Sequence, residues 1–194
     1  MIPVNLPLVD GREKELLIEC IESGWISEGP YVKKFEENFS NFIGMNHGIA
    51  VTNGTAALEA AIFAIDLKEG DEVIMPSFTI ISCAIVALRF GAKPVLVDIE
   101  PLTWNINVDQ IESKITSRTK AIMAIHMYGH PCDIDPILDL AKKYNLKVIE
   151  DASQVAGALY KEKKCGGIGH ISAFSLYANK IVTTGEGGMV MTSD

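Results

Sequence analysis

The chain has 194 residues, of which 48% are hydrophobic and 22% charged, which excludes a disordered polymer and fits one domain with a sizeable core. Its 17 basic and 25 acidic residues leave a formal charge of −8; this argues against nonspecific nucleic-acid or anionic-membrane partners, but not against a small anion held by backbone amides. Cys20, Cys83, Cys132 and Cys165 form no CxxC pair or zinc spacing, no apolar run has membrane-span length, and "MIPVNLPLVDGREKE" has no basic-then-apolar layout, so the sequence reads as a cytoplasmic chain with reduced thiols.

Residues 1–45 read as an N-terminal helical arm. In "GREKELLIECIESG" the apolar positions Leu16, Leu17, Cys20 and Ile21 have helical spacing, and Gly24 offers a stop. "GPYVKKFEENFSNFIG" repeats the pattern, with Pro30 near the start, Val32, Phe35, Phe39 and Phe42 on one side, and Gly44 after the end. Residues 46–194 then alternate in type. "TAALEAAIFAIDL" predicts a helix, "DEVIMP" a buried strand, and "TIISCAIVALRFG" a helix despite its β-branched opening. "KPVLVDI" is a strand, "NVDQIESKI" a helix opening on Asn107, and "TKAIMAIHMYG" a strand. "DIDPILDLAKKYN" is a helix, while "LKVIED", "HISAFSLY" and "GGMVMTS" are strands. Continuous apolar strands alternating with helices imply a mostly parallel sheet covered on both faces. The expected architecture is a three-layer α/β sandwich with right-handed crossovers.

In open α/β sheets ligands gather at the carboxyl ends of strands, and "HMYGHP" and "EDASQ" both follow apolar strands. Thr52, Asn53, Gly54 and Thr55 lead directly into a helix. Either Asn53 or Thr55 caps that helix, or its free N–H groups hold a phosphate; no Walker lysine or GxGxxG is present. Glu150 and Asp151 end a buried run. Such a carboxylate faces water, caps a helix, or holds a protonated ring nitrogen, the need that pyridoxal phosphate (PLP) has. Lys180 alone reads as a solvated charge. Ser175 five residues before it and the glycine-rich "TTGEGG" after it open the alternative of a reactive amine beside a close-passing backbone. A phosphate cradle, a carboxylate and an amine on one sheet suit a PLP enzyme.

"SGWISEGPYVKKFEENF", "NGTAALEAA", "DEVIMPSFT", "HMYGHPCDIDPI", "VIEDASQVAGALY" and "FSLYANKIVTTGEGGMV" together resemble the DegT/DnrJ/EryC1/StrS nucleotide-sugar aminotransferases, fold-type I PLP enzymes, along the whole chain. The resemblance implies that Lys180 forms the internal aldimine and moves the proton between substrate and cofactor carbons. It gives Asp151 the pyridinium proton, Gln154 the ring hydroxyl, and Gly54, Thr55 and Ser175 the phosphate. Ile80 stands where this family often carries an aromatic stacked on the ring. The implied reaction is a ping-pong transfer of an amino group from glutamate to a nucleotide-linked 4-keto-6-deoxyhexose. The implied assembly is a homodimer whose partner residues complete each site. One dehydrating branch has histidine in the lysine position; Lys180 fills it here, and His170 does not. Family members continue well past this length, so a C-terminal small domain is expected to be absent. Two alternatives stay open: a fold-type I enzyme acting on another amino or keto substrate, and a chain that binds PLP or dimerises without turnover. Trp25 either touches the sugar nucleotide or packs the arm. His126 and His130 read from the residues alone as structural, and Glu186 as a turn residue.

Overall fold

The computed structural model describes residues 2, 6–9 and 11–194. The leader reading and the first part of the expected arm fall partly outside these. The elements in chain order are α1 (Glu13–Ser23), α2 (Pro30–Ile43), β1 (His47–Val51), α3 (Gly54–Ala64), β2 (Glu72–Pro76), α4 (Ser82–Arg89), β3 (Lys93–Val97), β4 (Thr119–Ile125), α5 (Ile134–Tyr144) and β5 (Lys147–Asp151). A two-stranded hairpin, β6 (Leu159–Tyr160) and β7 (Lys163–Lys164), precedes β8 (Ile171–Ser175) and β9 (Gly188–Thr192).

Seven strands form one sheet in the order β1-β9-β8-β5-β4-β2-β3. Strands β3, β2, β4, β5 and β8 are mutually parallel, while β9 runs against both its neighbours, β1 and β8. The sheet is buried on both faces, and β4 shows why its sequence is apolar without a break. Ala121, Met123 and Ile125 pack with α3 and α4 on one face, and Ile122 and Ala124 pack with α5 on the other. That is the two-residue period of a strand read from both sides. Near β8 and β9, α2 seals the sheet with Phe39 and Ile43 against Phe174 and Met189; Phe39 meets the Phe174 ring edge-on, 5.1 Å between centroids. Helix α5 ends as its sequence dictates, with Lys142 and Lys143 in the last turn and Asn145 in the left-handed conformation.

Several local expectations are corrected. "NVDQIESKI" forms two 3₁₀ turns, Val108–Gln110 and Glu112–Lys114, although Asn107 does cap the first by accepting the Asp109 N–H at 3.1 Å. Helix α4 begins only at Ser82, leaving the β-branched Thr79, Ile80 and Ile81 in the preceding turn, consistent with the rotamer freedom such residues lose in a helix. In α2 the buried stripe runs through Phe39 and Ile43, and Phe42 stands at its exposed margin under the Lys164 ammonium. Strand β1 and the β6–β7 hairpin were not expected. Helix α1 forms and stops at Gly24 with φ 77° as the spacing predicts, yet none of its residues is buried. Among the described residues no helix is long and apolar enough to cross a membrane.

Candidate functional site

The seven residues singled out in the sequence, Gly54, Thr55, Ile80, Asp151, Gln154, Ser175 and Lys180, all line one cavity of about 250 Å³. It opens at the carboxyl ends of β5 and β8, against the first turns of α3 and α4. A larger cleft of about 520 Å³, between the Glu100–Asp109 stretch and Tyr160–Lys161, holds none of the seven, so size does not mark the site.

The start of α3 forms one wall of the cavity. Asn53 is extended and its Oδ1 accepts the Ala56 N–H at 2.8 Å, while the Ala57 N–H reaches the Asn53 carbonyl. Asn53 is therefore the cap, and helix geometry leaves the N–H groups of Gly54 and Thr55 without intrahelical acceptors. The Thr55 hydroxyl donates to Ser82 Oγ at 3.2 Å, drawing the first turns of α3 and α4 together. Glycine at 54 follows from close packing, since a Cβ there would lie 2.8 Å from the Ser175 Cβ. Across the same seam, a Cβ on Gly188 would lie 2.4 Å from the Asn53 carbonyl oxygen. Gly54→Ala is expected to force Ser175 away from the start of α3, costing about 1–3 kcal/mol of overpacking and, if this turn holds a phosphate, at least tenfold in PLP affinity. Urea unfolding and a PLP titration check both, and unchanged affinity would remove Gly54 and Ser175 from the cradle.

Asp151 is 3% exposed, so it does not face bulk water. Its Oδ1 accepts the Ser153 N–H at 3.0 Å, and its Oδ2 accepts the Cys83 S–H at 3.3 Å. Its neighbour Glu150 points to the opposite face of the strand and is held by different partners. Glu150 accepts N–H groups from Gly166 (2.7 Å), Ile168 (2.8 Å) and Gly169, and meets His126 Nε2 at 3.1 Å. His126 Nδ1 accepts the Cys132 N–H at 2.9 Å, which puts the ring proton on Nε2, donating to Glu150. Burial works to raise the Glu150 pKa. The hydrogen bond from His126 Nε2, with the Gly169 and Gly166 N–H groups, outweighs it and holds the carboxyl below its ordinary range. The adjacent carboxylates thus divide: Glu150 closes an internal network, and Asp151 faces the cavity.

Gln154 Oε1 accepts the Tyr128 N–H at 2.9 Å, leaving its amide N–H groups for a ligand oxygen. Ser175 ends β8 opposite Gly188. Beyond it the segment to Gly187 is closed at its base by Leu176 N–H to Gly187 O (2.8 Å) and Thr184 N–H to Leu176 O (3.1 Å). Lys180 lies in this closed segment, half-buried, with its own N–H on the Tyr177 carbonyl at 2.9 Å. Several lining residues were not singled out in the sequence: Ser82, Ser153 and Tyr177; Asn53, expected as a cap candidate, lines the cavity as well. Glu186, expected as a turn residue, also lines the cavity. Ser82 had a readable signal, a hydroxyl opening a helix just after a strand end; Cys83, a lone thiol, had none. Trp25 is exposed, its ring against Gly29. His126 is the structural histidine expected.

A helix N-terminus with free amides and two hydroxyls, a buried carboxylate and a half-buried amine around one cavity fit the phosphate, ring nitrogen and aldehyde of PLP. On a parallel sheet with one reversed strand they define the class of PLP-dependent transferases. Within that class, the chain belongs to the DegT/DnrJ/EryC1/StrS aminotransferase family, whose sequence model matches residues 7–194. It is 48% identical to the GDP-perosamine synthase of Caulobacter vibrioides over 194 residues, covering 100% of this chain and 52% of that protein. The aminotransferase structure from Psychrobacter cryohalolentis is 40% identical and superposes with a TM-score of 0.93, over 97% of this chain and 49% of that one. The PLP form of the sugar aminotransferase Spr1654 from Streptococcus pneumoniae is 30% identical with a TM-score of 0.93, over 100% and 53%. The chain therefore spans about half the length of the relatives it matches.

Proposed function

We propose that this chain is the cofactor-holding part of a PLP-dependent aminotransferase that moves an amino group from glutamate to a nucleotide-linked 4-keto-6-deoxyhexose. The observation that carries the reading is the convergence of Asp151, Lys180, Gln154, Ser175 and the Gly54–Thr55 turn on one cavity. Bound there, PLP supplies an electron sink for the charge that develops when a substrate carbon loses a proton. In the proposed arrangement the Gly54 and Thr55 amides and the Ser175 hydroxyl hold the phosphate. Asp151 keeps a proton on the ring nitrogen, and Gln154 donates to the ring hydroxyl. Ile80 packs on the ring face. Lys180 would hold the cofactor through its aldehyde carbon, and its amine would be the group that holds and moves a proton in the cavity.

GDP is the nucleotide to test first, since a relative 48% identical is named for GDP-perosamine. The proposal takes residues 1–45 as an arm, 46–194 as the cofactor-holding unit, and a homodimer as the working assembly. Exposed Leu17, Ile18 and Ile21 on α1 support a surface meant for a partner. Free thiols at all four cysteines support the cytoplasm as the compartment. A second reading is cofactor binding without turnover. Incubation with PLP, glutamate and GDP- or dTDP-linked 4-keto sugars, followed by mass spectrometry, separates the two. Aminated sugar is the expected product. PLP uptake with keto sugar unchanged supports the second reading, and no PLP uptake sinks both.

A further inference from the structure

We propose that Cys83 is a positioning residue for Asp151: its thiol fixes the rotation and tunes the charge of the carboxylate that faces the cavity. This rests on the reading of Asp151 as the partner of a ring nitrogen. Cys83 is fully buried as the second residue of α4, and its S–H donates to Asp151 Oδ2 at 3.3 Å across 68 positions of sequence. On the other side of the sulfur lies Thr79 Oγ1, at 3.6 Å. Because the thiol proton is committed to Oδ2, the sulfur lone pairs are left to accept the Thr79 hydroxyl. A directed chain therefore runs from Thr79 through Cys83 to Asp151, starting one residue before Ile80. With the Ser153 N–H on Oδ1, each carboxylate oxygen has one protein donor and keeps lone-pair capacity for a ligand.

The thiol suits this task for a chemical reason. Burial, and then the Asp151 negative charge, push its pKa up, so the group stays an S–H donor rather than a second anion. An S–H is a weak donor; it orients the carboxylate while drawing little charge from it. A hydroxyl in its place would hold Oδ2 more strongly and leave Asp151 less able to keep a ring nitrogen protonated. A purely space-filling cysteine would couple to Asp151 in neither way.

Two measurements test the proposal. The S–H stretching band of Cys83, assigned by its loss in Cys83→Ala, is read by infrared spectroscopy without cofactor. It is expected to move to higher frequency in Asp151→Asn, where a neutral amide replaces the anionic acceptor. The second measurement is the pH midpoint of the visible band after loading with PLP. A positive ring nitrogen lowers the pKa of the nitrogen joined to Lys180 by like-charge repulsion. The midpoint should therefore rise in the order Cys83→Ala, wild type, Cys83→Ser. Steps on the order of half a pH unit are expected, the scale of one weak hydrogen bond. An S–H band indifferent to Asp151→Asn, or three coincident midpoints, overturns the proposal. A chain that takes up no PLP contradicts the functional reading instead, and the infrared measurement still decides the hydrogen bond.

Discussion

Lys180→Ala is expected to abolish the visible-to-near-ultraviolet band that PLP develops with the chain, and to lower any amino transfer by about 10³-fold or more. Two losses combine in this variant. On the proposed function, the bond between the amine and the cofactor's aldehyde carbon would disappear, and so would the base that carries the proton between carbons. The proposed phosphate site would be untouched, because Gly54, Thr55 and Ser175 are positioned by the α3 start and by the β8–β9 pairing. PLP should accordingly still bind, but reversibly and with the spectrum of the free aldehyde. Absorption spectra before and after gel filtration distinguish the two forms. A band that survives unchanged in Lys180→Ala would place the reactive amine elsewhere and remove the basis of the proposed function.

The sheet was largely legible because strands buried on both faces carry unbroken apolar runs, as in "DEVIMP" and "TKAIMAI". What the sequence hid was pairing at long range. Strand β1, "HGIAV", is short and only partly buried, and it exists as a strand because β9, near the other end of the chain, pairs with it from His47↔Thr192 to Val51↔Gly188. Local reading could not reveal the reversed direction of β9, which depends on that pairing. The failed helix at Val108–Lys114 is a similar case. Its helical pattern is real, but Ile111, buried at 0% exposure, ties the segment to the face of the sheet that α5 covers, and tertiary packing overrides propensity. The site was legible to the extent that its residues stand at strand ends or helix starts. Cys83 was not, because its role depends on an oxygen of Asp151 brought beside it only by the fold.

The division of labour between the two adjacent carboxylates leads to a second large effect, on stability. Glu150→Ala would leave the buried Gly166 N–H and His126 Nε2, and the part-buried Ile168 and Gly169 N–H groups, without their acceptor. Removing one partner of such a network costs about 3–5 kcal/mol, because the remaining groups stay desolvated. The cost should depend on pH with a definite sign. The folded-state pKa of Glu150 lies below its ordinary value, so its contribution is complete above the unfolded carboxyl value of about 4.3. It is lost as pH falls through the lower folded value. Urea unfolding of wild type and variant at pH 7 should show the full difference, and the gap should narrow as the pH is taken below about 4. A difference under about 1 kcal/mol at neutral pH would mean that solvent replaces the carboxylate, and that the 166–169 turn is not anchored through Glu150. If the gap is large and pH-sensitive, the β5 end that presents Asp151 to the cavity is held rigid from behind by a carboxylate that does not line that cavity.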